Sequence, residues 1–218
     1  MTESVRRPAS EIVAALSRIS TATIHEALGR LGDMDPGIVP LGAGAQLCGP
    51  AFPVACRPAD NLMIHYALAV ARRGDVLVVS TGEARETGCW GLLTTRSARQ
   101  RGLSGLIIDG SVRDSAAIEQ EQFPVFCRGR AIKGTSKVGL GRVGIPITVG
   151  GQTVAPGDIV VGDRDGVVVV PSARAAQLLD AALARDRNEQ EMLAEIDRGT
   201  LTIDLLGLRS MLEQSGLP

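Results

Sequence analysis

The chain has 218 residues, of which 44% are hydrophobic, and its 23 basic residues nearly balance its 24 acidic residues. The balanced charge disfavours binding to nucleic acid or other polyanions, and an aromatic content of 2% disfavours a base-stacking surface. No apolar run reaches the roughly 20 residues that span a membrane. From the charge, the aromatic content and this absence, we expect neither a nucleic-acid nor a membrane partner. The first twenty residues lack a signal-peptide core, which indicates a cytoplasmic protein.

The cysteine pattern also limits the chemistry. The four cysteines form no CxxC pair, and neither histidine lies near any of them in sequence: Cys48, Cys56, Cys89 and Cys127. This spacing disfavours a zinc site, and disulfides are rare in cytoplasmic chains. The four thiols are therefore predicted to be buried or inert.

Two short helices are predicted over residues 8–31, the first capped by Ser10 and the second by Ser20 or Thr21, with Gly32 as the stop. Residues 45–57 alternate small and apolar side chains and contain two prolines, which predicts an edge strand.

Asp60 is predicted to cap a helix that carries Asn61 and His65 one turn apart. The pair could line a pocket, but a core or interface position is the more common role of a histidine at apolar spacing.

The middle of the chain predicts a βαβ unit with parallel strands. Its elements are two buried strands, two helices and a third strand: 75–81, 92–101, 105–109, 115–120 and the segment FPVFCRG. Ligands bind at the carboxyl ends of strands in open α/β sheets, which here correspond to residues 80–91 and 110–114.

Residues 128–171 are β in character, with two-residue hairpin turns predicted at 150–151 and 165–166. Asp163 and Asp165 form a D-x-D pattern that could bind a metal, although the hairpin turn explains it more simply. Pro171 and Ser172 then begin a long helix that ends at Gly199.

That helix is apolar on one side but uniformly polar over residues 185–191. We therefore predict an α/β core over residues 1–171, and a helical arm over residues 172–218 that packs on a neighbouring subunit.

Arg113 and Asp114 follow directly after a buried strand. A guanidinium binds a carboxylate through two parallel hydrogen bonds, and an adjacent carboxylate can hold Mg²⁺, so together they suit a small oxo acid. The alternative is a surface ion pair at a helix start, with Asp114 as the cap.

Gly88 to Gly91 precede the predicted helix at Leu92, where free backbone N–H groups would form an anion site. Glycines in an ordinary loop are the alternative. Lys133 and Lys137 lie in a polar, glycine-rich loop, which disfavours a Schiff-base lysine, so carbonyl chemistry here would need a metal.

The whole set of motifs resembles the RraA-like family, which includes 4-hydroxy-4-methyl-2-oxoglutarate and 4-carboxy-4-hydroxy-2-oxoadipate aldolases and the regulator of ribonuclease activity A. The segments that carry the resemblance, in order, are SRISTATIHEALGRLG, PADNLMIH, GDVLVV, CWGLL, RGLSGLIIDGSVRD, FPVFCRG, IKGTSK, IPITVGG, PGDIVVGDRDGVVVVP and LRSMLEQSGL.

The resemblance implies a class II pyruvate aldolase that uses Mg²⁺ or Mn²⁺. The implied fold is the α/β swivelling-domain type, with mixed sheet layers flanked by helices and a C-terminal helical arm. The implied assembly is a homotrimer or a dimer of trimers with sites between subunits. By the same resemblance, Arg113 would bind the pyruvyl group and Asp114 the metal. The substrate would also contact the stretch Gly91, Leu92, Leu93 and Thr94, and Glu189 or Glu191 of a neighbouring subunit would hold metal waters.

Leu92 departs from the aldolases that the chain resembles, which have an acidic residue there. Leucine can neither accept a hydrogen bond nor transfer a proton, and losing a positioned acid or base lowers rates by about 10²–10⁴-fold. Possible substitutes in the preceding loop are Glu83, Glu86 and Cys89, and Arg96 could add a carboxylate contact.

Three functions follow from these residues. The first is a metal-dependent lyase that releases pyruvate by retro-aldol cleavage or by decarboxylating oxaloacetate, a reaction that tolerates Leu92 better. The second is a non-catalytic regulator that binds a protein partner, and the third is a related enzyme with altered chemistry.

Overall fold

The computed structural model describes residues 7–82 and 84–215. The strands are β1 (Val39–Pro40), β2 (Leu47–Ala55), β3 (Val76–Ser80), β4 (Gly88–Trp90), β5 (Gly105–Val112), β6 (Val125–Arg130), β7 (Arg142–Val143), β8 (Ile147–Val149), β9 (Gln152–Val154), β10 (Ile159–Asp163) and β11 (Gly166–Val170). The helices are α1 (Ser10–Leu16), α2 (Thr21–Ala27), α3 (Leu62–Val70), α4 (Leu92–Gln100), α5 (Ser115–Gln120), α6 (Ala175–Asp197), α7 (Thr202–Leu205) and α8 (Arg209–Gln214).

Nine strands form one mixed sheet, and β8 and β9 form a separate hairpin. The main order is β1-β6-β5-β3-β2-β10-β11, with β4 paired to β5 and β7 paired to β2. The predicted parallel unit is confirmed, because β2, β3, β5 and β6 run parallel as neighbours. The predicted α/β fold with a mixed sheet and flanking helices is therefore confirmed.

The sheet curls almost into a barrel. Phe126 of β6 packs against Gly162 of β10, although three strands separate β6 from β10 in the sheet order. The segment before β2 joins the two sheet edges, since Met34 N–H donates to Val167 O at 2.9 Å and Leu41 N–H donates to Val125 O at 2.8 Å. One short stretch of chain thus closes the structure.

Side chains alternate between the inside of this near-barrel and its outside. Val76, Val78 and Ile107 belong to the inner cluster with Phe126, whereas Leu77 and Val79 belong to an outer cluster beneath α3 and α4. A third cluster lies between β10–β11 and the helices α1, α2 and α6. Because both faces of the strands are covered, their sequences are continuous apolar runs.

The predicted edge strand is wrong, because β2 lies between β3 and β10 in the sheet. The two halves of the strand pair differently: residues 47–50 pair with β10 and residues 51–55 with β3. Pro50 lies before the pairing with β3 begins. Pro53 lies beyond the residues that pair with β10, and its carbonyl accepts the Gly144 N–H. Neither proline therefore removes a hydrogen bond from the ladders.

Two further local predictions need correction. Ser10 lies inside α1 rather than capping it, because Ala9 is the N-cap. The turn predicted at 165–166 is shifted by one residue, since Asp163 pairs with Gly166 across it. The Ser20 cap is confirmed by the Thr23 N–H, which donates to its hydroxyl at 3.1 Å.

The glycine turn at 150–151 and the long C-terminal helix are both confirmed. Only the first half of α6 contributes buried side chains, whereas Leu193 and Ile196 in the second half are 47% and 38% exposed. Packing of this arm on a neighbouring subunit stays a prediction. None of the described helices is both long and apolar enough to cross a membrane.

We predict that Gly162→Ala destabilises the fold by about 1–3 kcal/mol, because added volume in a packed core forces strain. A Cβ at this position would lie 2.9 Å from the Phe126 ring. Gly129→Ala is the matched control, since a Cβ there meets nothing closer than Ser111 Oγ at 3.9 Å. Urea unfolding of both variants measures the effect, and equal stability would contradict the proposed inner packing.

Candidate functional site

Arg113 and Asp114 lie directly after β5, at the carboxyl end of the parallel strands. Arg113 N–H donates to Trp90 O at 2.8 Å, which ties this corner to β4. Both side chains are 46% exposed, with Arg113 Nε 3.9 Å from Asp114 Oδ2. Both side chains are therefore accessible to a ligand, and their predicted binding roles stay predictions.

Asp114 has a left-handed backbone conformation, with φ of 58°. Such a conformation is uncommon for a residue with a Cβ, although aspartate adopts it more readily than most. The carboxylate makes no capping hydrogen bond to α5, which it precedes; instead its Oδ2 accepts the Leu92 N–H at 3.1 Å. The side chain therefore faces the start of α4 rather than its own helix.

Gly88 and Gly91 are required by the close approach of these two side chains. A Cβ at Gly88 would lie 2.9 Å from Arg113 Cβ, and a Cβ at Gly91 would lie 2.8 Å from Asp114 Oδ2. Larger residues would displace the guanidinium or the carboxylate. The glycines therefore do more than end an ordinary loop.

The first turn of α4 offers free backbone donors beside Asp114. Within residues 7–82 and 84–215, neither the Leu93 N–H nor the Thr94 N–H has a hydrogen-bond acceptor. The Thr94 hydroxyl instead bonds the Gly91 backbone, accepting its N–H at 3.0 Å. Unpaired N–H groups at a helix start attract anions, so this turn suits a substrate carboxylate.

These elements line one cleft with a volume of about 160 Å³. The lining contains five residues predicted to bind substrate or metal, namely Gly91, Leu93, Thr94, Arg113 and Asp114, but the predicted Leu92 is not part of it. Its other members are Asn61, His65, Gly88, Cys89, Trp90, Gly134, Thr135 and Lys137. Asn61 and His65, which the sequence suggested could line a pocket together, both line this cleft. Lys137 was not predicted to be a site residue, and its only sequence signal was that the chain has just two lysines.

The wall made by α3 is fixed by a buried amide. Asn61 Nδ2 donates to Cys89 O at 3.0 Å, while its Oδ1 has no hydrogen-bond partner in the described part of the chain. Desolvation, and next the charge of Lys137, hold the pKa of His65 below its usual value. The imidazole therefore favours its neutral form at neutral pH.

Asp60 positions both this wall and Lys137. Its side chain is almost fully buried, and it accepts hydrogen bonds from Leu62 N–H, the Ser136 hydroxyl, Val138 N–H and Gly139 N–H. Desolvation opposes ionisation, but these donors outweigh it and lower the pKa of Asp60 far below its ordinary value. The start of α3 and the loop that carries Lys137 thus share one carboxylate.

Several predicted residues lie away from the cleft. Glu189 is on α6, where its Oε2 accepts from the Thr23 hydroxyl at 3.4 Å, and neither Glu189 nor Glu191 lines the cleft of its own chain. Their action on a neighbouring subunit stays a prediction. Arg96 does not face the cleft, because its Nε donates to Glu121 Oε1 at 2.8 Å.

The D-x-D pattern has a structural role. Asp163 accepts from the backbone N–H and hydroxyl of Thr21 at 2.8 and 2.7 Å, which attaches the start of α2 to β10. Its Oδ1 also accepts the Asp165 N–H inside the hairpin turn. The turn therefore explains these aspartates.

Of the loop residues proposed to replace the missing acid, Glu86 and Cys89 do not supply one. Glu83 lies outside the described residues, and Glu86 is exposed and does not line the cleft. Burial raises the pKa of the Cys89 thiol, so this cleft residue stays protonated. Burial likewise raises the pKa of Cys48 and of Cys56 to about 12, which disfavours their reactive thiolate forms.

A hard divalent cation fits the donors of this cleft only with help from substrate and water. Asp114 is the single carboxylate in the lining, and the described residues contain no cluster of three ligating side chains. Mg²⁺ commonly takes one or two protein carboxylates and keeps several waters. The exposed Asp114 supplies one such carboxylate, and it lies beside the free N–H groups at the start of α4.

Comparison with known proteins places the chain and its fold in one family. The RraA-like family, described as Aldolase/RraA, matches residues 21–169. A protein of Halalkalibacterium halodurans named "Putative 4-hydroxy-4-methyl-2-oxoglutarate aldolase" is 31% identical over 204 residues, which cover 94% of this chain and 95% of that protein.

Solved structures agree. A protein of Pseudomonas syringae pv. tomato is similar with a TM-score of 0.83 and 29% identity, over 92% of this chain and 95% of its own. Streptomyces coelicolor RraAS2, described as an unusual member of the RNase ES inhibitor RraA protein family, has a TM-score of 0.76 and 32% identity. The similarity covers 87% of this chain and 98% of RraAS2.

We predict that Asp60→Asn lowers the free energy of unfolding by about 2–3 kcal/mol at pH 7, because a carboxamide replaces several charge-assisted acceptor contacts. The folded carboxyl has the lower pKa, so its contribution is complete above about pH 4 and is lost as the pH falls further. The difference between variant and wild type should therefore narrow below pH 4 in urea unfolding. The exposed Asp204→Asn is the control, and a pH-independent difference for Asp60→Asn would contradict the assignment.

Proposed function

The chain belongs to the RraA-like family, and we propose that it is a divalent-metal-dependent carbon–carbon lyase acting on pyruvyl-type oxo acids. The observation that carries this proposal is the convergence of Arg113, Asp114 and the free N–H groups of α4 on one cleft. Candidate reactions are cleavage of 4-hydroxy-4-methyl-2-oxoglutarate or 4-carboxy-4-hydroxy-2-oxoadipate, and decarboxylation of oxaloacetate. The name of the Halalkalibacterium halodurans relative supports the first of these.

The residues of the cleft would divide the work of binding. The Arg113 guanidinium would bind the carboxylate and keto oxygens of the pyruvyl group through its planar donors. The N–H groups of Leu93 and Thr94 would hold the substrate carboxylate. Asp114 would hold Mg²⁺ or Mn²⁺, which when bound supplies Lewis-acid polarisation of the 2-keto group.

Leu92 determines which reactions this cleft favours. Its backbone N–H orients Asp114, but its side chain supplies no acid or base. Retro-aldol cleavage requires a base for the substrate hydroxyl, whereas decarboxylation of oxaloacetate does not. The same residue therefore supports a second candidate, a related enzyme that uses this enolate-stabilising site on another substrate. A non-catalytic regulator, as the RraAS2 description suggests for its family, would not require Arg113 and Asp114 in one cleft.

We further propose that the active unit is a homotrimer or a dimer of trimers in the cytoplasm. The exposed apolar side chains on the second half of α6 support a role of this arm in covering a neighbouring subunit. Glu189 or Glu191 would then reach the cleft of that neighbour and hold metal waters.

We predict that the protein releases pyruvate from 4-hydroxy-4-methyl-2-oxoglutarate or oxaloacetate with Mn²⁺ or Mg²⁺, and that EDTA stops the release. Asp114→Ala should abolish the metal-dependent release of pyruvate. Arg113→Ala should lower kcat/KM by about 10²-fold or more, because charge-assisted hydrogen bonds to the substrate are lost. Coupled lactate dehydrogenase measures pyruvate. Arg130→Ala is the control, since Arg130 is an exposed arginine outside the cleft. Metal-dependent activity that persists in Asp114→Ala would contradict the site.

We predict that Leu92→Asp raises retro-aldol activity, because it returns a carboxylate to the start of α4 where proton transfer is needed. The expected gain is about 10-fold or more in kcat on 4-hydroxy-4-methyl-2-oxoglutarate, with a smaller change for oxaloacetate. Leu92→Asn keeps the shape without the base and serves as the control. Equal rates for the two variants would favour the altered-chemistry candidate.

A further inference from the structure

The cleft contains one imidazole, on the wall that the start of α3 forms. His65 lines the cleft together with Arg113 and Asp114, and it also lines the adjoining groove with Leu93 and Thr94. The side chain is solvent-accessible, so it can exchange protons with water. Imidazole is the side chain whose ordinary pKa lies closest to neutral pH.

The position of His65 is held from two directions. Asp60 accepts the Leu62 N–H at the first turn of α3, and Asn61 Nδ2 donates to Cys89 O on β4. His65 follows one helical turn later, and its backbone N–H donates to Asn61 O at 3.3 Å. The imidazole is therefore part of a rigid wall rather than a loop.

The charged groups around this imidazole are mostly positive. Lys137 faces it from the loop that Asp60 anchors, Arg113 and Asp114 line the same cleft after β5, and Arg101 of α4 lines the adjoining groove. Desolvation lowers the pKa of His65, and the positive charge of Lys137 lowers it further. The neutral, proton-accepting form is the one that the site prefers.

The other cleft side chains do not provide a free base. Burial keeps the Cys89 thiol protonated, Asp114 is the proposed cation ligand, and Arg113 and Lys137 supply the positive charge that attracts the substrate. We propose that His65 is the proton-transfer residue of this cleft. The proposal rests on the proposed lyase function and assigns to it a residue on α3 that binding of the pyruvyl group does not use.

The proton balance of the step is complete without another reactant. The neutral imidazole accepts the proton of the substrate's tertiary hydroxyl, that carbon becomes a carbonyl, and the C–C bond breaks. The bonding electron pair forms the enolate of pyruvate. The imidazolium then gives its proton to the enolate carbon, which becomes the methyl group of pyruvate, and neutral His65 is regenerated.

Decarboxylation of oxaloacetate provides an internal contrast. It releases carbon dioxide without removal of a hydroxyl proton, and water can protonate the enolate that remains. The loss of His65 should therefore affect retro-aldol cleavage much more than decarboxylation. A side chain needed only for folding or binding would affect both reactions alike.

The first test compares His65→Gln with His25→Gln on both substrates. His25 pairs with Asp33 and does not line the cleft, so it is the matched control. We expect His65→Gln to lower kcat for 4-hydroxy-4-methyl-2-oxoglutarate by about 10²–10⁴-fold and oxaloacetate decarboxylation by less than about 10-fold. The rise of the wild-type rate with pH, at a pKa below that of free histidine, should disappear in the variant.

A second variant shows whether the lost group is a proton carrier. In a Leu92→Asp background, the loss of retro-aldol kcat caused by His65→Gln should be at least about 10-fold smaller than in wild type, because the new carboxylate can take the proton. Equal losses in both backgrounds, or equal losses for both substrates, would overturn the proposal. If the wild type is active and His65→Gln is unimpaired, only the role of His65 fails. If the wild type releases no pyruvate from either substrate, the lyase function fails and the role of His65 with it.

A binding measurement tests the geometry without turnover. The chain has only two histidines, so ¹³C labelling of histidine gives two imidazole Cε1–H signals that one variant assigns. Titration of the wild-type protein with oxalate and Mg²⁺ should shift the His65 signal and leave the His25 signal in place. Absence of any His65 shift at saturating oxalate, with binding confirmed by calorimetry, would overturn its placement against the oxo acid.

Discussion

The cleft depends on the hydrogen bonds that the buried carboxylate of Asp60 accepts. It is 2% exposed and accepts hydrogen bonds from two segments that are more than seventy residues apart in sequence. An ionised carboxyl without these donors would be costly to bury, and the donors without the carboxylate would be left unpaired. The start of α3 and the Lys137 loop are thus held together, and the cleft keeps a defined wall opposite Arg113.

The curled sheet provides the opposite wall. Within it, the parallel pairing of β4 with β5 brings the carboxyl ends of these strands side by side, and Asp114 faces the first turn of α4. The left-handed conformation of Asp114 is a local cost that the surrounding packing maintains. Gly88 and Gly91 make that packing possible, because a Cβ at either position would collide with the two side chains.

In the proposed function the cleft binds small anions, and its chemistry depends on the wall that α3 forms. Arginine, lysine and free helix N–H groups attract carboxylates, and Asp114 can share a hard cation with them. Leucine at position 92 leaves the start of α4 without a proton carrier, while α3 contributes an imidazole to the lining of the cleft. Substrate binding and proton transfer are thus assigned to different elements of the fold.

The sequence alone determined the parallel βαβ unit, the glycine hairpin, the long C-terminal helix and the Arg113–Asp114 pair, because apolar periodicity and turn chemistry act over a few residues. It also indicated the family. The tertiary structure alone decided that β2 is central, that Asp163 anchors α2, and that Asp60 holds the Lys137 loop. The roles of Asp163 and Asp60 depend on hydrogen bonds between residues 76 to 142 positions apart, and no local pattern encodes which distant donor will reach a carboxylate.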